Sequence, residues 1–421
     1  MLRIRRPIKD HSLRHRAFGL SALENREKKE DMATIRKLMI LALLTPDDES
    51  INDYCLFKLQ RHVQKWSYDL TLIPRTIKLS ACIENIPESD AYILYRFRKQ
   101  DIFRLFKYLR IPTRIVLTNR SVLAGEELLM FCLRRLGSRC NLDDLVAHSQ
   151  RPGIFGRDIT QWSRAFRWFL DHIMSHFSFI LSRNLEYFLP AFPSYSRAIS
   201  EKLSFDSDLV GFIDCTIRPI SRPGSGATSY IPSSQPAGLS DVERRKYLDL
   251  LQQSFYSGYT KHHSIKFLTV SFPDGLTGFA FGAISGRRSD SQLLYMSNLS
   301  DYLSNVQSTQ AKKYKIFGDS VFPSSDCIVT NRTIGYHSTE AKHALSAVRI
   351  AVEWDYGATL ALFPHIDVIP KAQVLSSFVS SVYLTATLLK NCHTCCYGSC
   401  GSTYFNLSPP SLENYLAYPL P

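Results

Sequence analysis

The chain has 421 residues and a formal charge of +13 at neutral pH, with 45% hydrophobic and 12% aromatic residues. This composition can fill real cores and excludes a chain that is disordered over most of its length. The length predicts two or more domains. The positive charge predicts a polyanionic partner, either nucleic acid or an acidic membrane surface.

No stretch of the sequence predicts a membrane span or a secretory signal. Leu38 to Leu44 is too short to cross a bilayer, and Val374 to Leu389 is interrupted by Ser and Thr. The basic N-terminus lacks an apolar segment followed by a cleavage site. We therefore expect an intracellular protein whose ten cysteines are reduced thiols.

Residues 1–37 form a basic arm with 11 Lys or Arg against five Asp or Glu, which leaves +6. Such an arm binds phosphates or serves as a nuclear import signal. The alternative is a solvated, flexible tail. A membrane-surface role would require a continuous apolar stripe in this arm, and the sequence has none, so we expect no membrane partner.

Residues 38–204 carry helical signals and predict an all-α region. Apolar residues recur at spacings of three and four in Leu105–Arg110, Glu126–Leu136 and Ile159–Phe177. Over about residues 141–177, a short helix capped by Asn141, a break at Pro152 and a longer helix form the outline of a helix-turn-helix.

Three arginines of the predicted longer helix are candidates for DNA contact: Arg157, Arg164 and Arg167. The outline itself is unspecific, because any two packed helices of a bundle give a similar pattern. The sequence therefore leaves both interpretations of residues 141–177 open.

Residues 205–421 alternate strand and helix signals, and we predict a second domain there. The predicted elements are a strand Leu209–Asp214, a hairpin Ser264–Ile284, a helix Asp290–Val306, a strand Tyr314–Asp319 and a helix Lys342–Trp354. A Ser-, Gly- and Pro-rich loop with a short charged helix is inserted at about residues 224–253. This order of elements predicts an α/β fold with an RNase H-like mixed sheet flanked by helices.

Three carboxylates are predicted to lie at one edge of the sheet. Asp214 and Asp319 end two buried strands that this sheet makes neighbours, and Glu353 lies on the helix packed across the same edge. Two aspartates one inter-strand spacing apart, about 5 Å, repel each other unless a divalent cation lies between them. The pattern predicts a site for two Mg²⁺ or Mn²⁺ ions and phosphodiester chemistry.

Other charged residues are secondary candidates for this site. Asp290 is a possible fourth metal ligand, although capping of its helix also explains it. Arg287 and Arg288 suit phosphate contacts or are ordinary surface charges. Arg349 lies one helical turn before Glu353, where it could hold the carboxylate, contact a phosphate or form a simple helix-face ion pair.

Five sequence blocks surround these residues in a fixed order. They are Phe212-Ile213-Asp214-Cys215-Thr216 with Arg222-Pro223; Tyr256-Ser257-Gly258 with Lys261, His262 or His263 and Lys266; Gly286-Arg287-Arg288-Ser289-Asp290; Gly318-Asp319-Ser320-Val321-Phe322-Pro323; and Arg349 with Val352-Glu353-Trp354 and Tyr356-Gly357. In residue pattern and order these blocks resemble those of the PIF/Harbinger transposases and of the domesticated nucleases derived from them, within the DDE superfamily.

The resemblance implies a transposase that cleaves double-stranded DNA at the terminal inverted repeats of a transposon and joins the strands to a target site. It implies Asp214, Asp319 and Glu353 as the metal-binding catalytic triad, with Asp290 assisting and Lys261 among the DNA contacts. It also implies a Myb-like partner protein, nuclear localisation that depends on that partner, and a homo-oligomer.

The chain departs from the family pattern next to the triad. Cys215 stands where the family has Gly, Ser289 where it has His, and Val321-Phe322 where it has a small residue and Tyr. All three carboxylates are present, so an active nuclease and a catalytically silent, domesticated DNA-binding or scaffold protein both fit the sequence. A cysteine cluster, Cys392, Cys395, Cys396 and Cys400, suits buried thiols better than zinc, because its ligands lie within nine residues.

Overall fold

The computed structural model describes residues 82–140, 142, 158–224, 241–333, 339–371 and 378–417. All of them belong to one compact unit, which spans Leu70–Thr228 and Asp241–Pro421. The predicted basic arm, Asn141, Arg157 and the Ser-, Gly- and Pro-rich part of the insertion lie outside the described residues. The predicted division into an arm, a helical region and a nuclease-like domain therefore stays a prediction.

Helices dominate the described residues before the sheet. They are α1 Glu88–Tyr95, α2 Lys99–Tyr108, α3 Gly125–Leu136, α4 Ile159–Ser182, α5 Leu185–Phe188 and α6 Phe192–Leu203, with short 3₁₀ turns at Ile83–Asn85 and Leu189–Ala191. The helices predicted over Glu126–Leu136 and Ile159–Phe177 are confirmed as α3 and α4.

The prediction that this region is all-α is wrong at one place. Strands β1, Arg114–Val116, and β2, Val122–Ala124, form an antiparallel pair. Ile115 and Leu123 face each other in the register and are both buried, so the pair closes part of the core. Strands of three residues are too short to show a period of two in the sequence.

The remaining elements alternate strands and helices. The strands are β3 Leu209–Pro219, β4 Tyr256–Ser257, β5 His262–Ser271, β6 Thr277–Ser285, β7 Lys315–Gly318 and β8 Ile328–Thr330. The helices are α7 Asp241–Phe255, α8 Asp290–Ser297, α9 Leu299–Val306, α10 Thr339–Val348, α11 Ile350–Leu362, α12 Val379–Tyr397, α13 Cys400–Tyr404 and α14 Leu412–Leu416, with a 3₁₀ helix at Pro364–Lys371.

The strands form one mixed sheet whose main order is β6-β5-β3-β7-β8, with β4 paired to the start of β5. Strands β3, β5 and β6 run as an antiparallel meander, whereas β7 and β8 are parallel to β3. The predicted order, with the first strand between the hairpin and the fourth strand, is confirmed.

Two predicted helices are each divided in the structure. The helix predicted over Asp290–Val306 breaks at Asn298, whose φ of 53° ends α8 and starts α9. The helix predicted over Lys342–Trp354 changes at Arg349 from α10 to α11, because Val352 N bonds to the carbonyl of Arg349 instead of that of Val348. Apolar spacing continues through both breaks and therefore could not reveal them.

One apolar core positions α10 and α11 over the sheet. Leu345, Val348 and Val352, the stripe predicted to be buried, pack with Phe212 of β3 and Phe317 of β7. A cluster with nearly no exposed apolar surface fixes the rotation of a helix about its axis. The charged residues between these apolar positions are therefore held at the edge of the sheet.

Helix α4 is long and is embedded in the same unit. It packs on α3, on the edge strand β6 and on α12. Trp162 of α4 is fully buried and stacks on Phe131 of α3 with ring centroids 4.0 Å apart. Over the described ranges, no helix combines the length and apolar character needed to cross a membrane.

Candidate carboxylate site

Asp214 and Asp319 lie at equivalent positions on neighbouring parallel strands. The register pairs Phe212 with Phe317 and Ile213 with Gly318, so Asp214 is the next residue of β3 and Asp319 directly follows the last residue of β7. Adjacent strands are about 4.8 Å apart, so the two aspartates lie at the same level on neighbouring segments of the chain. The prediction that their strands are neighbours is confirmed, but the prediction that Asp214 ends its strand is wrong, because β3 stays paired with β5 as far as Pro219.

The turn after β7 holds Asp319 at this edge. A Cβ atom on Gly318 would lie 2.7 Å from Ile213 Cγ2 and 2.9 Å from a ring carbon of Phe322. Only glycine permits this close contact, which lets the buried Phe322 fold back under the strand end. Asp319 itself is exposed and accepts a hydrogen bond from Ser320 N at 2.6 Å.

Arg349 joins Asp214 of the sheet to Glu353 of α11. Its Nη1 lies 3.1 Å from Asp214 Oδ2, and its Nη2 lies 3.9 Å from Glu353 Oε1. The side chain of Glu353 is 60% exposed, whereas that of Asp214 is 22% exposed. Arg349 is therefore more than a helix-face ion pair, since it reaches across to the strand.

Two other carboxylates, Asp290 and Asp319, lie near enough to Asp214 to affect its pKa. Burial raises the pKa of Asp214, and the charges of Asp290 and Asp319 raise it further. The Cys215 backbone N–H and the Arg349 guanidinium act in the opposite direction. An added cation near this position would stabilise the ionised form of Asp214.

Asp290 belongs to the other face of the sheet. Its Oδ1 lies 2.9 Å from Lys266 Nζ. In the β3–β5 register Lys266 is opposite Ile217, so strand alternation places Lys266 and Cys215 on the face away from Asp214. Burial raises the pKa of the Cys215 thiol, and the charge of Asp290 and a hydrogen bond with it contribute.

The suggestion that Asp290 caps its helix is wrong. Ser289 is the N-cap of α8, with its hydroxyl accepting from Gln292 N and its own N–H donating to the Gln292 side chain. Asp290 is the first residue inside the helix and is free to pair with Lys266. Ser289, which departs from the family pattern, thus has a local structural role as the cap.

The oxygen donors at this edge suit a hard divalent cation in their chemistry. Asp214 of β3 lies beside Asp319, which directly follows β7, and the side chain of Glu353 is linked to Asp214 through Arg349. In the ranges that the structure describes, no three His, Cys, Asp or Glu side chains converge closely enough to hold a metal ion. Arg349 is the cation that contacts Asp214 in this arrangement.

The predicted DNA-contact residues lie in different environments. Lys261 and Arg287 are exposed, whereas Arg288 is only 6% exposed. On α4, Arg164 is exposed, and the guanidinium of Arg167 lies 4.0 Å from the ring centroid of Phe378. The structure does not bring these arginines of α4 and the carboxylates into direct contact in any described interaction.

Two buried polar pairs were not anticipated from the sequence. Lys390 of α12 contacts the carboxylate of Asp355, which also accepts from the hydroxyls of Ser271 and Thr277. Asp355 is only two residues from Glu353, but it points into the core.

The second pair closes the turn between β5 and β6. Tyr195 donates to Asp274 Oδ2 at 2.5 Å, and Leu276 N donates to Oδ1 at 3.0 Å. In the sequence, Pro273-Asp274-Gly275 indicates only a turn. Its burial was invisible in the sequence because the residue that covers it, Tyr195, is 79 positions away.

The cysteine cluster lies at the end of α12 and the start of α13. Cys392, Cys395, Cys396 and Cys400 are free thiols. Burial raises the pKa of Cys392 and Cys395 well above the usual range and that of Cys396 to about 12.

The sequence pattern of a protein family described as DDE superfamily endonuclease matches residues 237–391. This range is less than half of the chain. The matched range includes Asp290, Asp319 and Glu353 and begins after Asp214. It supports a relationship to DDE transposase-like proteins and a nuclease-type enzyme in general. Comparison with curated proteins and with solved structures gave no significant match.

Proposed function

We propose that this protein is a divalent-metal-dependent DNA endonuclease of the DDE transposase type, of the PIF/Harbinger kind. The observation that carries the proposal is the side-by-side placement of Asp214, within β3, and Asp319, directly after the parallel strand β7. Helix α11 brings Glu353 to the same edge through Arg349. The endonuclease family that matches residues 237–391 supports the same chemistry.

Asp214, Asp319 and Glu353 would hold the metal, and two Mg²⁺ or Mn²⁺ ions bound there would polarise a DNA phosphodiester and lower the pKa of an attacking hydroxyl. The protein's own residues prepare this site. Arg349 acts against burial to lower the pKa of the Asp214 carboxylate, and its Nη2 lies 3.9 Å from Glu353 Oε1. Lys266 holds Asp290 at the opposite face of the sheet, where the negative charge of Asp290 raises the pKa of Asp214.

The substrate in this proposal is double-stranded DNA with terminal inverted repeats, together with a target site. A Myb-like partner, a homo-oligomer and nuclear localisation complete the proposal, and they rest on the family resemblance alone. The net charge of +13 supports a polyanionic substrate.

The test is cleavage of terminal-repeat DNA by the purified full-length chain with Mg²⁺ or Mn²⁺, in the presence and absence of a Myb-like partner. We expect Asp214→Asn, Asp319→Asn and Glu353→Gln to lower the cleavage rate by at least about 10³-fold. Asp208→Asn is a matched control, because Asp208 is an exposed aspartate that directly precedes β3 and pairs with Lys312. Cleavage that survives in the three site variants would refute the assigned site.

One observation favours a second candidate, a catalytically silent DNA-binding protein. Arg349 contacts Asp214, and among the described residues no three metal-binding side chains converge. A silent protein would bind DNA, but its wild type and its Asp214→Asn variant would give the same heat when titrated with Mn²⁺. Isothermal titration of the wild type and Asp214→Asn with Mn²⁺ therefore separates the two candidates without requiring cleavage.

A further inference from the structure

The turn between β4 and β5 presents an aromatic ring and a cation to solvent. Tyr256 pairs with His263 and Ser257 with His262, and Gly258 to Lys261 form the tip. The side chain of Tyr259 is 91% exposed, which makes it the most exposed large hydrophobic residue of the described chain. Lys261 is also exposed and has a φ of 60°.

The surroundings of this tip are basic. Burial lowers the pKa of His263, and the positive charges of Arg222 and His262 lower it further. The side chains of Arg222 and His262 therefore lie near that of His263. Arg222 donates to Gln252, a neutral side chain, across 2.8 Å. The sequence from residue 250 to residue 273 has no Asp or Glu.

The backbone holds the tip firmly in spite of its exposure. Lys261 N donates to Ser257 O at 2.9 Å, and Thr260 N lies 3.3 Å from Ser257 Oγ. Ile220 N donates to His263 O at 2.9 Å, which ties the end of β3 to the hairpin. Tyr259 and Lys261 therefore have a fixed place on the surface.

The tip lies on the strand that borders the candidate carboxylate site. Asp214 pairs with Thr269 of β5, and His262 is seven residues earlier on that strand. At about 3.4 Å per residue this is a separation of about 24 Å. Phosphates on one DNA strand are about 3.4 Å apart along the helix axis, so one duplex could reach both places over about seven base pairs.

An exposed aromatic ring beside cations is the combination that proteins use to hold nucleic acids, since the ring contacts sugars or bases and the cations contact phosphates. A turn that served only to connect two strands would need neither group. Charge complementarity favours a polyanion over an apolar protein partner at this surface.

We propose that the β4–β5 tip, formed by Tyr259 and Lys261 with His262 and Arg222 beside them, is a DNA contact separate from the carboxylate site. It binds the flank of the duplex about seven base pairs from the scissile phosphate. The proposal rests on the proposed function in that the same DNA molecule occupies both sites, but the contact itself requires no cleavage.

The experiment measures binding of the full-length chain to a mixed-sequence duplex of about three helical turns by fluorescence anisotropy, between about 50 and 200 mM salt, without divalent metal. Lys261→Asn removes the charge and suits the left-handed backbone, which Ala would strain. We expect about 3- to 10-fold weaker binding and a salt slope lower by about 1. We expect Tyr259→Ala to weaken binding by about 5-fold or more.

Lys312→Asn is the matched control, because Lys312 is another exposed lysine but pairs with Asp208 at 3.0 Å. It should leave the affinity and the salt slope nearly unchanged. Thermal unfolding of each variant checks that the fold is retained. Unchanged binding by both tip variants would overturn the proposal and show an ordinary solvated turn.

The result is separable from that of the cleavage test. Weakened binding by the tip variants in a protein that cuts no DNA would support the tip contact and refute the endonuclease. Normal DNA cleavage by the wild type, with unchanged binding and cleavage in Lys261→Asn and Tyr259→Ala, would support the endonuclease and refute the tip contact.

Discussion

Arg349 donates a hydrogen bond from Nη1 to Oδ2 of Asp214 across 3.1 Å, and this contact links helix α11 to the central strand of the sheet. The two side chains are 135 positions apart in sequence. The guanidinium occupies one oxygen of the carboxylate that we assign to the metal. Arg349 and a divalent cation therefore compete for Asp214.

Replacement of Arg349 should reveal this competition. In Arg349→Gln the positive charge near Asp214 is absent, and a divalent cation about 4 Å from a unit positive charge is repelled by about 2–8 kcal/mol at effective dielectric constants of water or a protein surface. We expect the variant to bind Mn²⁺ at least several-fold more tightly by isothermal titration. Its DNA cleavage should nevertheless fall, because Glu353 loses the group that orients it.

The charge-conserving variant Arg349→Lys is the control for this experiment. It should bind Mn²⁺ with nearly the affinity of the wild type, since it keeps the positive charge. If Arg349→Gln binds Mn²⁺ no better than Arg349→Lys does, the ion pair with Asp214 does not compete with the metal.

Tyr195 and Asp274 predict a pH-dependent stability. Burial raises the pKa of Asp274 from its ordinary value to about 6, while the hydrogen bond from Tyr195 lowers it. An acid whose pKa is higher in the folded state binds its proton more tightly there. The buried Asp274 carboxyl therefore lowers the free energy of unfolding at pH values above about 6, where it is ionised. This destabilisation decreases as the pH falls below about 6 and the carboxyl takes up its proton.

Tyr195→Phe removes a hydrogen bond from the buried carboxylate. We expect it to lower the free energy of unfolding by about 1–3 kcal/mol near pH 8, where Asp274 is charged, and by less near pH 5. Denaturant unfolding at both pH values measures the difference. Tyr295→Phe, at an 84% exposed tyrosine, should have no effect at either pH. An equal loss at both pH values in Tyr195→Phe would contradict the assigned interaction with ionised Asp274.

Lys390 and Asp355 form a buried charge pair. Their side chains are 1% and 7% exposed, and Lys390 Nζ also donates to Thr277 Oγ1 at 2.9 Å. Lys390→Met would leave the Asp355 carboxylate buried without its counter-charge. We expect a loss of about 3–5 kcal/mol in the free energy of unfolding.

Two variants check that the missing charge causes this loss. Lys312→Met, at an exposed ion pair with Asp208, should cost less than about 1 kcal/mol. The double variant Lys390→Met with Asp355→Asn should recover part of the stability, because no orphan charge remains. A double variant less stable than Lys390→Met would argue for a packing effect instead.

The thiols should differ in their reactivity. Cys140 and Cys400 are exposed, whereas burial raises the pKa of Cys215 and Cys392 well above the usual range. Only the thiolate reacts with iodoacetamide, so near pH 8 we expect the exposed pair to be alkylated at least about tenfold faster. Peptide mass spectrometry over time measures the rates, and all four should react after unfolding. Rapid labelling of Cys215 in the folded protein would contradict its buried position in β3, next to Asp290.

The sheet order and the side-by-side placement of Asp214 and Asp319 on neighbouring strands could be predicted from the sequence, whereas the continuation of β3 to Pro219 could not. Both follow from short apolar runs separated by turn residues and helices, because parallel strands require a crossover and the central strand must lie between its partners. The buried stripe of Leu345, Val348 and Val352 could be predicted from helical spacing for a similar reason. These are periodic properties of local sequence.

The contacts around the carboxylates could not be predicted in this way. The chain order does not say that Arg349 reaches Asp214, that Lys266 and Cys215 meet Asp290 on the opposite face, or that Arg288 is buried. Nor does it distinguish Glu353, which is exposed, from Asp355, which enters the core to meet Lys390. Each of these depends on how far one element is rotated against another.

The sequence by itself therefore determined the kinds of elements, their order in the sheet and the adjacency of the two strands beside which Asp214 and Asp319 lie. Only the tertiary structure decided which cation each carboxylate contacts and which face of the sheet it occupies. The physical reason is that periodicity is set by backbone geometry within one element. Pairing between charged groups is instead set by packing of apolar side chains between elements that are distant along the chain.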